Sequence, residues 1–200
     1  MTLISGIIPT QNFELVRDRI GQILSAEFAN QYTLTANEDI NVTVYNDRIV
    51  AFDKTDTPCI NVVFDSGNYN AKFENKADGS YIYNIDVFCT AATTATDSAS
   101  RKANIQLQKI LGMARTILSS SVYRTLEFPQ PSLSHVSIRD IKIASPENKQ
   151  DASTMVMGRL TFMVNCTESV ALLSTLPLES SLTSVKLSDS DKGYFWEYSI

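Results

Sequence analysis

Apolar residues recur every three or four positions in two stretches of the chain and every second position in most of the remainder. From Asn12 to about Phe28, the residues Phe13, Val16, Ile20, Ile23, Leu24 and Phe28 fall on one face of a helix, and Arg17, Asp18, Arg19 and Gln22 fall largely on the other. Pro9 and Thr10 punctuate its start, and Thr10 offers an oxygen to a first-turn amide. The helical period returns between about Thr94 and Ser119, with Ala103, Leu107, Ile110, Leu111, Ala114, Ile117 and Leu118 as the stripe. Ala103 and Ala114 let this second helix lie close on a sheet.

Between and after these helices the period is two. Ile40, Val42 and Val44 alternate with polar neighbours, Asn46-Asp47 can turn the chain, and Ile49 with Ala51 continues, which predicts a hairpin. Cys59 to Phe64 is nearly continuously apolar and β-branched, the pattern of a strand covered on both faces, and is the candidate central strand. A second hairpin has Tyr69, Ala71 and Phe73 on one arm and Tyr81, Tyr83, Ile85, Val87 and Cys89 on the other, with Asp78-Gly79 in the connection. Val136, Ile138, Ile141 and Ile143 slip phase near Asp140, as a β-bulge would require, and Leu160, Phe162, Val164 and Cys166 alternate cleanly.

This order predicts an α+β domain over 1–171: a mostly antiparallel β-sheet with two main helices packed on one face. From about Leu172 the character changes. Leu182, Val185 and Leu187 stand among Ser and Thr, and Tyr194, Phe195, Trp196 and Tyr198 place four aromatics within five residues. So much apolar surface calls for a cover, so 172–200 is expected to be an arm that docks in a groove of its own domain or, by preference, on a neighbouring subunit or tail protein through strand addition to an open sheet edge. The polar segment Ser145 to Thr154, with Glu147, Lys149 and Asp151, is longer than an ordinary hairpin loop and is the second expected partner contact.

Composition narrows the function. In 200 residues, 44% are hydrophobic, enough for a sizeable core. The net charge of -5 argues against nucleic-acid binding as the main task, which needs clustered Lys and Arg. No stretch approaches the ~18 apolar residues of a membrane span, and the start of the chain lacks the pattern of a signal peptide, so a cytosolic site of synthesis and no membrane are expected. Cys59, Cys89 and Cys166 each fall in a predicted strand with no CxxC pair, which predicts buried, reduced thiols.

The chemical menu is short. His135 is the single histidine, with no base-and-nucleophile spacing around it, and suits a loop or sheet edge. The seven glycines form neither GxGxxG nor GxxxxGK[ST], and GxSxG is absent. Glu38-Asp39 and the pair Asp53 and Asp56 are the nearest acid/base candidates, but each lies in a polar turn that reads as solvated, whereas a catalytic carboxylate needs burial or like-charge crowding. Arg101-Lys102 suits a solvated helix face, and Arg124 and Arg139 stand alone. An enzyme is therefore not expected, and neither is a catalytic residue, metal or cofactor.

The order of segments resembles the tail terminator, or tail-completion, proteins of long-tailed bacteriophages over roughly residues 12 to 170. The resemblance rests on the N-terminal amphipathic helix, the strand Cys59-Ile60-Asn61-Val62-Val63 after Pro58, and the strand Tyr81-Ile82-Tyr83-Asn84-Ile85-Asp86-Val87. It rests further on the helix ending in Ile110-Leu111-Gly112-Met113-Ala114-Arg115-Thr116-Ile117-Leu118 and on Gly158-Arg159-Leu160-Thr161-Phe162-Met163-Val164-Asn165-Cys166-Thr167-Glu168. It implies a structural virion protein of the tail or neck, made in the host cytoplasm, that forms a homohexameric ring. The ring caps the tail tube, meets tube, sheath and head-connector proteins, and lets DNA pass through its lumen without specific binding. The alternatives are another virion subunit, such as a tube protein or head-tail adaptor, and a small hydrolase using carboxylates only. The arm lies outside the resemblance.

Overall fold

The computed structural model describes residues 7–8, 10–49, 52–73, 76–92, 99–128, 133–144, 153–169, 180–185 and 194–199. Helix α1 spans Asn12–Thr35 and α2 spans Ala99–Leu118; strands β1 (Thr43–Asn46), β2 (Cys59–Phe73), β3 (Lys76–Ala92), β4 (Leu133–Ala144) and β5 (Ser153–Ser169) form one sheet in the order β1-β2-β3-β5-β4. β1 pairs with β2 in parallel and the other three pairings are antiparallel, so the domain is α+β with a mixed, mostly antiparallel sheet.

Register puts Val44, Ile60, Val62, Tyr83, Ile85, Val87, Leu160 and Phe162 on one sheet face. They share a single core with Val16, Ile20, Leu24 and Phe28 of α1 and Leu107, Ile110, Leu111 and Ala114 of α2. α1 lies over β1 and β2, and α2 over β3 and β5. α2 packs tightly on the sheet at Gly158, where a Cβ would sit 2.6 Å from Leu111 Cδ1. Tyr83 reaches through the core, its hydroxyl donating to the Phe13 carbonyl at 2.8 Å.

The cap of α1 is Gln11, one residue beyond the expected Thr10, because Glu14 three residues on accepts from the Gln11 amide at 2.9 Å. The helix outruns its apolar stripe and closes at Ala36, in left-handed conformation with φ 49, whose amide donates to Tyr32 O at 2.8 Å. The arginines of its polar face are structural. Arg17 pairs with Asp18 and Asp47, and Arg19 pairs with Glu127 and donates to Leu126 O at 3.3 Å. Leu126 and Glu127 are both at positive φ, with Leu126 fully buried, so Arg19 fastens a turn whose backbone the core holds in an uncommon conformation.

Three local expectations are corrected. The hairpin over residues 40–51 is absent among the described residues. The chain does turn at Asp47 (φ 48), but Asn61 then takes over the backbone of Arg48, accepting from its amide and donating to its carbonyl, each at 3.0 Å. β1 pairs with β2 instead of with a following arm, and Ile49 is exposed. The central strand is β3, because Cys59–Phe64 is the first part of the longer β2, which runs through an irregularity between Phe64 and Ser66. Asp78-Gly79 is not the turn. The two residues face Asn70 and Tyr69 inside the β2–β3 ladder, and a Cβ on Gly79 would meet Cys166 Sγ at 3.2 Å, so this glycine serves packing against β5.

Chain contacts separate Thr10–Val170 from a second unit that contains strands β6 (Ser180–Val185) and β7 (Tyr194–Ser199). These two form an antiparallel pair of their own.

Candidate interface

The sheet face away from the helices carries the polar residues of β2, β3 and β5. Asp86, whose side chain is 8% exposed, receives two bonds from Arg159: Nε donates to Oδ1 at 2.6 Å and Nη2 to Oδ2 at 2.8 Å. The hydrogen bonds to Asp86 raise the Arg159 pKa further. Asn84 donates to Asp65 Oδ1 at 2.8 Å. A groove of about 650 Å³ opens beside this pair, lined among others by Arg48, Phe52, Asn61, Asp86, Phe88 and Met155. The Arg48 guanidinium lies 4.7 Å from the Tyr45 ring centre and 4.5 Å from that of Phe52 and donates to Asp56 Oδ2 at 2.8 Å, and the Phe52 and Phe88 rings pack at a tilt with their centres 4.6 Å apart. The groove polar groups are thus committed to one another, in bidentate and cation–π contacts that fix side chains in place.

The carboxylates considered for acid/base work serve local structure. Asp56 holds Arg48 and accepts from the Asp53 amide at 3.2 Å; Glu38 accepts from the Tyr32 hydroxyl at 2.7 Å; Asp39 lies 3.7 Å from the Lys109 ammonium. Glu38 and Asp39 open a short 3-10 turn capped by Asn37. Among the described residues no group of His, Cys, Asp and Glu could hold a metal ion. Cys59, Cys89 and Cys166 are free and buried, and burial pushes their thiols up to about 11, about 12 and about 11. No helix is long and apolar enough to cross a membrane among the described residues.

The expected partner contacts fall unevenly. Glu147, Lys149, Asp151 and Leu187 lie outside the described residues. Leu182 and Val185 are in β6, and Tyr194, Phe195, Trp196 and Tyr198 are in β7, where register sets Leu182 opposite Glu197, Thr183 opposite Trp196 and Val185 opposite Tyr194. The described part of the arm is thus a pair of antiparallel strands.

A further surface was not anticipated as a site. β4 is an edge strand of 12 residues with its outer side unpaired among the described residues. Ile141 and Ile143 on its helix side are 41% and 43% exposed. On the other side His135, Ser137, Arg139, Asp140 and Lys142 form a polar row, in which Lys142 pairs with Asp140 at 2.7 Å. Hydrogen bonds from Lys142 and then Thr161 hold the Asp140 carboxyl below its usual range. The Arg139 guanidinium lies against the Met163 sulfur and meets no carboxylate among the described residues. The signal was present in the sequence as the phase slip at Asp140.

No protein-family model matches the chain, and no curated protein matches it significantly.

Proposed function

We propose that this chain is a structural virion subunit that forms a ring, caps the tail tube of a long-tailed phage and joins the tail to the head connector. The reading rests on the tail-terminator-like order of segments over roughly residues 12 to 170. The observation that favours an assembled subunit on the structural side is the edge of β4, unpaired among the described residues, with Ile141 and Ile143 exposed. An unpaired strand with apolar side chains at its rim is a liability in an isolated domain and an asset in an assembled one.

Adding the purified protein to growing tail tubes and imaging them tests the assignment. A terminator decorates one tube end and stops elongation. Self-polymerisation into tubes would favour the tube-protein alternative, and binding to the connector with no affinity for tubes would favour a head-tail adaptor.

A further inference from the structure

We propose that β4 is a self-complementary edge through which two copies of this chain pair antiparallel about a two-fold axis between Arg139 and Asp140. The contact goes beyond the ring proposed above, since a ring of one kind of subunit closes through head-to-tail contacts, and a two-fold contact uses the same patch on both partners.

The bulge sets the pattern of faces. In β4 the pairing with β5 runs Ile138 opposite Phe162, then Asp140 opposite Thr161 and Ile141 opposite Leu160, leaving Arg139 as the extra residue. Leu160 and Phe162 are core residues, so Val136, Ile138, Ile141 and Ile143 belong to the helix side and Ser137, Asp140 and Lys142 to the other. Arg139 joins the second group, because it reaches Met163, the partner of Ser137. The sequence of faces is therefore a palindrome centred between 139 and 140. A regular strand alternates without a break and has no such centre between two residues.

Directly opposite residues in an antiparallel pair share a face, and a slip of one residue breaks the match. Centring on the bulge sets Val136 opposite Ile143 and Ile138 opposite Ile141 of the second copy, all on the helix side. Ser137 then faces Lys142 and Arg139 faces Asp140 on the other side. Moving the centre by half a residue or by one residue along the strand puts helix-side residues opposite polar-side ones. One register thus covers the exposed isoleucines and gives Arg139 a carboxylate, which it lacks among the described residues of its own subunit. Charges on an edge strand ordinarily discourage pairing. Here opposite charges face each other twice, once on each side of the axis, so they select this register against others.

The test uses the full chain with Ser137→Cys and Lys142→Cys and a short bismaleimide. Within one chain the two positions are roughly 16 Å apart along the strand, out of reach of such a linker, whereas across the axis they are neighbours. The expected result is a covalent dimer. Adding Asp140→Arg, or Arg139→Asp, should abolish it by setting like charges opposite each other, and adding both together should restore it. The three native thiols are buried and serve as an internal control, since the variant without the added cysteines should not cross-link. Far-UV circular dichroism verifies that each variant is folded. No covalent dimer from the folded cysteine variant, or a dimer indifferent to the charge reversals, would overturn the pairing, and neither result depends on whether rings form.

Discussion

Replacing Gly158 by alanine should destabilise the domain, but should cost nothing further where Leu111 has already been shortened. Gly158 faces Val87 on β3 and Ile143 on β4, in the part of the sheet that α2 crosses. An added methyl would lie 2.6 Å from Leu111 Cδ1 and 3.3 Å from both Leu107 methyls, where carbon contacts prefer ~3.5–4.0 Å. Leu111 is 2% exposed and Leu107 fully buried, so neither can swing into solvent. Overpacking of this kind costs about 1–3 kcal/mol, and the reduced freedom of the unfolded chain returns about 0.4–1 kcal/mol, leaving a net loss of roughly 1–2 kcal/mol. Leu111→Ala alone should cost about 2–5 kcal/mol, about 3 at mid-range. Independent sites would therefore sum to roughly 4–5 kcal/mol. In the double variant the methyl added at position 158 occupies part of the space Leu111 vacates, so the loss should be only about 2–3 kcal/mol. Urea titration with an unchanged slope reads all three values. Additivity within about 0.5 kcal/mol, or a Gly158→Ala variant as stable as the wild type, would refute the packing of α2 on β5.

Other consequences are accessible to simple measurements. Cys59, Cys89 and Cys166 should resist a thiol reagent at neutral pH in the folded protein and all react in denaturant; because their folded values lie at about 11 to 12 against 9.0 when exposed, the stability they contribute is complete below about pH 9 and lost as pH rises through 11 to 12, so the melting midpoint should fall on the alkaline side. Arg159→Leu strips Asp86 of its partner at a nearly buried position and should cost about 2–3 kcal/mol, below the 3–5 of a fully buried pair because the Arg159 side chain is 42% exposed; an unchanged urea midpoint would mean that the pair is ornamental. Truncation after Leu178 removes β6 and β7, and should abolish the ring while leaving a folded monomer; an intact ring would mean that the arm packs on its own domain or serves another partner.

The helices and the later strands were legible because burial imposes a period on the sequence. Of the second helical stripe, Ala103, Leu107, Ile110, Leu111, Ala114 and Leu118 are all buried, and the slip at Asp140 is the irregularity between Ile138 and Asp140. What misled was local turn chemistry read without its tertiary partners. Asn46-Asp47 and Asp78-Gly79 have the residue types of hairpin turns. At the first site Asn61, 13 residues on, captures Arg48 and diverts the chain. At the second, Gly79 is needed beside Cys166 within the ladder. The groove was illegible for a related reason: Arg48 and Asp56 lie 8 positions apart and Asp86 and Arg159 lie 73 apart, and only loop closure and register bring them into pairs. Arg17 and Arg19 resembled a solvated face because the residues they hold, Asp47 and Glu127, lie 30 or more positions away.

The most direct test of the proposed role is the native mass of the purified full chain, alone and with tail tubes. A ring-forming terminator gives a closed oligomer, six copies being the expectation, whose mass increases only by attachment to tube ends. A 22.2 kDa species that stays monomeric at every concentration and ignores tube ends would contradict it.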